Sequence, residues 1–132
     1  MIQAGASGEA RLTVRDADTA KAIAQGPEDD FPAVLATSRM VALMELAAAR
    51  AMRPLLEAGQ LSVGVAIRVE HRAATPVGCE VRAVATYLGP EGRLHRFKLE
   101  AFDPAGPIGD GDHSRAIVGT ERLLEGAERR RK

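Results

Sequence analysis

TSRMVALMELAAARAMRPLL, residues 37–56, is built almost wholly from residues that favour a helix. Between Met40 and Ala49 nine of ten residues are apolar, and the exception is Glu45. Thr37 and Ser38 each offer an N-cap oxygen, and Gly59 offers a C-terminal stop. A helix apolar on nearly every side is expected to be buried on nearly every side. Glu45 then stands out, because a carboxylate in a dry interior must be paired, protonated or put to chemical use.

Downstream of this stretch the hydrophobic period drops to two. In SVGVAIRVEH (Ser62–His71), Val63, Val65, Ile67, Val69 and His71 share one face, and Ser62, Gly64, Ala66, Arg68 and Glu70 share the other. Strict alternation predicts a half-buried strand. A connector, Ala73–Gly78, leads to a strand over Cys79–Leu88 that puts Cys79, Val81, Ala83, Ala85 and Tyr87 together. Gly89-Pro90-Glu91-Gly92 turns the chain into a strand over Leu94–Asp103, with Phe97, Leu99 and Ala101 inward. A long strand is expected over Ile108–Leu123. The two glycines of its first half, IGDGDHSR, suggest a bulge or close approach by another backbone.

Upstream, Ala10–Val14 suits a short strand, and Asp16 or Asp18 could cap a brief helix over Ala20–Ala24. Gly26–Asp30 is a loop by composition, ended by Phe31-Pro32. Phe31 has two readings, a hydrophobic staple before the cap or a lid over a pocket. The order is strand, helix, then a run of antiparallel strands. That is an α+β chain in which an antiparallel sheet wraps a long central helix and the helix covers one sheet face. Open strand edges invite pairing of two sheets across a homodimer.

The 132 residues suit a single domain, which at that size buries about two-thirds of its unfolded surface. We divide it into a flexible N-terminus (1–8), one folded domain (9–124) and a basic C-terminal tail (125–132). Basic and acidic residues number 18 each, so nothing calls for a nucleic-acid partner, and without Trp and with one Tyr the chain lacks stacking platforms. A lone cysteine, Cys79, leaves no internal disulfide and fits a reducing compartment. The N-terminus does not read as a signal peptide, and the apolar run of the helix is about half what a bilayer needs. The expectation is a cytoplasmic protein with no membrane partner.

Glu45 either pairs with Arg39, Arg50, Arg68 or Arg115, or faces water, or is a working carboxylate whose basicity desolvation raises. Thr37 is either the N-cap or a hydroxyl beside free backbone N–H groups, where an oxyanion could be stabilised. It precedes Glu45 by eight residues, slightly over two turns, so both lie broadly on one side. His71 is either a satisfied polar residue at a strand end or a partner for the acid or for a substrate carbonyl. Gly64 leaves room for a ligand to approach the backbone. Asp110, Asp112 and His113 match no strong metal-ligand spacing, so no metal is expected. No phosphate-cradling glycine fingerprint and no G-x-S-x-G elbow occurs.

Three stretches together resemble the fluoroacetyl-CoA thioesterase-like hotdog proteins: VLATSRMVALMELAAARAM (34–52), SVGVAIRVEHRAATPVG (62–78) and GDGDHSRAIV (109–118). The resemblance spans roughly Phe31–Leu124. It implies the hotdog fold, a dimer, and hydrolysis of a small acyl-CoA thioester, with coenzyme A arriving as part of the substrate and no separate cofactor. It implies a catalytic group of Thr37, Glu45 and His71, substrate contacts at Gly64 and Arg115, and Phe31 at an aromatic lid position. Pro27-Glu28-Asp29-Asp30 offers no second aromatic where the fluoroacetyl-selective pattern has one, so the lid is less apolar. Hydration or dehydration of enoyl and hydroxyacyl thioesters, and acyl-CoA binding without catalysis, are the alternatives such a chain admits.

Overall fold

The structure, a computed structural model, describes residues 2–131; the first residue of the N-terminal segment and Lys132 of the basic tail lie outside the described residues. In chain order the elements are strand β1 (Ser7–Thr13), helix α1 (Thr37–Met52), strands β2 (Gln60–His71), β3 (Glu80–Glu91), β4 (Leu94–Asp103) and β5 (Gly106–Gly119), and helix α2 (Thr120–Arg129). The five strands form one antiparallel sheet in the order β1-β3-β4-β5-β2, and α1 lies against it, touching β1, β2, β3 and β4.

The core forms where two periodicities meet. Met40, Leu43, Met44, Ala47, Ala48 and Ala51 recur along one side of α1 and are buried. They join Val81, Ala83, Ala85 and Tyr87 of β3 and Phe97, Leu99 and Ala101 of β4 in one cluster, as the strand alternation predicts. The expected all-round burial of α1 is not met. Its other side carries Val41, Ala42, Glu45 and Ala49, all half-buried, and Leu46, which is exposed. One sheet covers one face of a helix, so the second face stays open in a single protomer.

The helix also starts and stops differently from the sequence reading. Ala36 is the N-cap, and no side chain caps it. The backbone fixes the entry instead: the Leu35 N–H donates to Thr75 O and the Ala36 N–H to Asp18 O, both at 2.9 Å. Leu35 and Met40, at the two staple positions, both enter the core, whereas Phe31 lies out in the preceding loop. Pro54 ends the helix in a 3-10 turn, Arg53–Leu55, well before Gly59. Thr19, rather than Asp16 or Asp18, caps the turn at Ala20–Ile23.

In β2 the simple alternation fails at one residue. Gly64 pairs with Arg115 and Ala66 with Ser114, so Val65 is extra and forms a bulge. The slip changes the phase of the strand. Gly64 before the bulge, and Val69 and His71 after it, all face α1 or its flanking residues. In β5 a register slip at Ile108, and backbone so near Gly111 that a Cβ there would sit 2.0 Å from Arg68 O, meet the expectation drawn from the glycine pair. That strand stops at Gly119 rather than Leu123. Thr120–Arg129 is helical, made from Glu, Arg, Leu and Ala, with Glu121 in the first turn and Arg129 in the last where the helix dipole favours them. Among the described residues no helix is long and apolar enough to cross a membrane.

Candidate active site

Two groups of side chains sit along the seam between α1 and β2. The first is at the start of the helix. Thr37 is the first helical residue, and its Oγ1 lies 2.8 Å from Nδ1 of His71, at the far end of β2. Both line a cleft of about 260 Å³ together with Pro32, Val34, Arg72 and Ala73. The other imidazole nitrogen, Nε2, is buried and has no hydrogen-bond partner among the described residues. A hydroxyl and an imidazole so joined can pass a proton, and the free nitrogen faces no competing protein group.

The second group centres on Glu45. Its carboxylate lies over the side-chain-free surface of Gly64: a Cβ there would sit 2.3 Å from Oε2. Arg115 reaches it from β5, with Nη1 3.6 Å from Oε2. The side chain of Glu45 is 42% exposed and that of Arg115 is 7% exposed. Glu45 is therefore not sequestered within one protomer, contrary to the sequence expectation. Of the four arginines considered as its partner, Arg115 is the one that meets it.

Arg115 is held from two sides. Its Nε donates to Ser62 Oγ and its Nη2 to Ser62 O, both at 3.0 Å. Its Nη1 donates to Nε2 of His113 at 3.1 Å, and Nδ1 of His113 donates to Ala66 O at 2.8 Å. Burial lowers the Arg115 pKa and the charge of Glu45 opposes that shift. Burial likewise lowers the pKa of His113, and the adjacent guanidinium adds to it. Of the acidic pair near His113, Asp110 meets Arg72 and Asp112 meets Arg96.

The structure thus joins Thr37 to His71, and Glu45 to Gly64 and Arg115, but does not bring the two groups together in one protomer. Thr37 and Glu45 are separated by about 12 Å along the helix axis. Phe31 belongs to neither group; it is 41% exposed, while its neighbour Pro32 lines the Thr37 cleft. Ser62 carries no signal in the sequence, and His113 is weighed there only as a metal ligand, not as a partner of Arg115. The signal was there for His113, which precedes Arg115 by two residues and so shares its strand face.

The family model described as "Fluoroacetyl-CoA-specific thioesterase" matches residues 14–121. A fluoroacetyl-CoA thioesterase from Streptantibioticus cattleyicolor is 46% identical over 94 residues, which cover 71% of this chain and 68% of that protein. A solved fluoroacetyl-CoA thioesterase, a threonine-to-serine variant in complex with acetyl-CoA, is 35% identical with a TM-score of 0.93, over 99% of this chain and all of that one. A thioesterase superfamily member from Thermus thermophilus is 27% identical with a TM-score of 0.87, over 98% of this chain and 93% of that one. The fold is the hotdog.

Proposed function

The chain belongs to the fluoroacetyl-CoA-specific thioesterase family, and on that premise we propose that it hydrolyses a small acyl-CoA thioester to the free acid and coenzyme A. The observation that carries this reading is the Glu45 carboxylate, held over bare backbone at Gly64 by a buried arginine and accepting no hydrogen bond among the described residues. Such an acid is free to work on a substrate. It attacks the acyl carbon itself or takes a proton from the attacking water. In the first case the C–S bond breaks as a mixed anhydride with Glu45 forms, and water then cleaves the anhydride; in the second, water adds to the acyl carbon and the C–S bond breaks; in both the sulfur leaves with a proton. His71, through its unpartnered Nε2, positions the thioester and supplies or relays that proton, with Thr37 orienting the ring. Arg115 steadies Glu45 and the developing oxyanion.

A homodimer is part of this reading, because it is what joins the two groups. β2 is an edge strand with one backbone side unpaired, and Leu61, Val65 and Ile67 on it are exposed. Antiparallel pairing of β2 with its copy about a two-fold axis between Gly64 and His71 sets Glu45, Gly64 and Arg115 of one protomer against Thr37 and His71 of its partner. It also covers the open side of α1. A cytoplasmic location completes the proposal, since the free Cys79 suits a reducing compartment.

The test is thiol release from acetyl-, fluoroacetyl- and propionyl-CoA. Glu45→Gln should lower kcat about a hundredfold or more. Wild-type turnover in both Glu45→Gln and His71→Ala would end the assignment. Addition of water to a crotonyl thioester without thiol release would instead identify a hydratase, and binding without turnover a carrier.

A further inference from the structure

We propose that His113 is a positioning residue that aims the Arg115 guanidinium at Glu45. The proposal rests on the reading of Glu45 and Arg115 as parts of the thioesterase site. His113 is 1% exposed, and both ring nitrogens are engaged. Nδ1 faces Ala66 O, which can only accept, so that nitrogen carries the proton. Nε2 is then the lone-pair nitrogen, and it accepts from Nη1 of Arg115 at 3.1 Å. The same Nη1 is the atom that lies 3.6 Å from the Glu45 carboxylate.

One guanidinium nitrogen therefore stands between an imidazole and the acid. The two bonds to Ser62 hold the opposite edge of the fork but leave its plane free to pivot about that one residue. The bond from His113 removes the pivot. Only a neutral acceptor suits the position. A carboxylate there would compete with Glu45 for the cation, and a protonated ring would turn an N–H toward an N–H. The surroundings hold the ring in that state: the Ala66 carbonyl, just past the β2 bulge, accepts a hydrogen bond from its Nδ1–H, and Phe97 backs it at 6.2 Å between ring centres. Gly64 leaves room beside it, since a Cβ there would come within 3.2 Å of Cε1.

The experiment is a double-mutant cycle in the full chain, read by thiol release from acetyl-CoA and by thermal melting. His113→Leu keeps bulk alone, His113→Asn keeps a donor for Ala66, and His113→Gln reaches Arg115 with an acceptor. Each is made alone and on Arg115→Ala. Positioning through Arg115 predicts that His113→Leu lowers kcat about tenfold or more with KM little changed, and that the same change on Arg115→Ala costs less than about threefold further. It predicts that Gln retains more kcat than Asn, a comparison that stands even if the Leu variant does not fold. Equal losses in both backgrounds, or Asn as active as Gln, would overturn the proposal while leaving the site reading intact. Wild-type turnover in Arg115→Ala and Glu45→Gln would overturn both.

Discussion

The Thr37 hydroxyl lies 2.8 Å from Nδ1 of His71, and the helix that Thr37 begins is entered through Ala36 without any side-chain cap. The hydroxyl is thereby separated from a stabilising duty at the helix start. Thr37→Ala is expected to melt near the wild-type temperature, because the loss of about 1 kcal/mol that follows removal of a true N-cap does not apply. Its kcat should fall about a hundredfold, and Thr37→Ser should recover much of it. Calorimetry beside a thiol-release assay checks this. A depressed melting temperature with unchanged turnover would return Thr37 to a purely structural part.

Glycine substitutions separate site from scaffold within the same pair of strands. At Gly64 an added Cβ meets the end of a flexible side chain, the Glu45 carboxylate, at 2.3 Å. At Gly111 it meets backbone, Arg68 O at 2.0 Å and Val69 Cα at 2.8 Å. A carboxylate can swing away, whereas a paired strand cannot. Gly64→Ala, where the His113 ring at 3.2 Å must also give by a few tenths of an ångström, should therefore lose less stability than Gly111→Ala and lose most of its turnover. Gly111→Ala should lose about 1–3 kcal/mol of stability, the usual cost of forcing atoms into a filled space. Urea unfolding and kcat measured on both variants give the comparison, and the reverse ordering would contradict the placement of Glu45.

How legible this was depended on whether a pattern repeated. β3 and β4 alternate without interruption across their buried residues, so Val81, Ala83, Ala85 and Phe97, Leu99, Ala101 were read inward and are inward. In β2 the alternation alone puts Gly64 and His71 on opposite faces. A one-residue bulge at Val65, flanked by apolar residues of similar type, leaves the alternation looking regular while reversing its phase. Leu123 looked like a strand end, but it lies exposed on α2, whose signal is helix propensity rather than burial. Glu45 looked buried because a one-chain reading cannot tell a helix face covered by its own sheet from one left for another surface. The eight-residue spacing suggested a common side for Thr37 and Glu45, but their grouping with His71 as one catalytic set came from the resemblance. The i, i+2 spacing already sets His113 on the strand face of Arg115, whereas the part of Ser62 in holding Arg115 depends on the strand register.

Acid should weaken the approach to the site through Asp18. This residue is 2% exposed and holds Arg39 of α1 at 3.0 Å. Burial alone would raise its pKa, but the Arg15 N–H and the Arg39 guanidinium outweigh burial and keep the carboxyl below the ordinary aspartate range. The folded value thus lies under the unfolded one, which is about 3.9. The stabilisation is complete above that pH and is lost as pH falls through the folded value. Asp18→Asn should cost about 1–3 kcal/mol at neutral pH, and its difference from wild type should shrink as pH falls below the unfolded aspartate value. Urea unfolding across that range measures it, and a gap independent of pH would show that the charge of Asp18 plays no part.

The separation of Thr37–His71 from Glu45–Arg115 makes the proposed sharing of one site between two protomers testable by mixing two dead enzymes. Glu45→Gln lacks the acid and His71→Ala lacks the imidazole, and each homodimer should be nearly inactive. If the site is shared, a mixed dimer contains one site with the Thr37 and His71 of the first variant and the Glu45 of the second, intact in every part. Its other site carries both lesions. Random reassortment places about half of the protomers in mixed dimers, each with one working site of two, so about a quarter of wild-type turnover should appear. If each protomer instead builds its site from its own residues, the mixture stays as inactive as its components. Brief unfolding and refolding of the two variants together, followed by thiol release and by sedimentation to confirm dimers, decides between these outcomes. Ile67→Lys supplies the independent control, because a charge on the exposed β2 edge should lower turnover and dimer content in parallel.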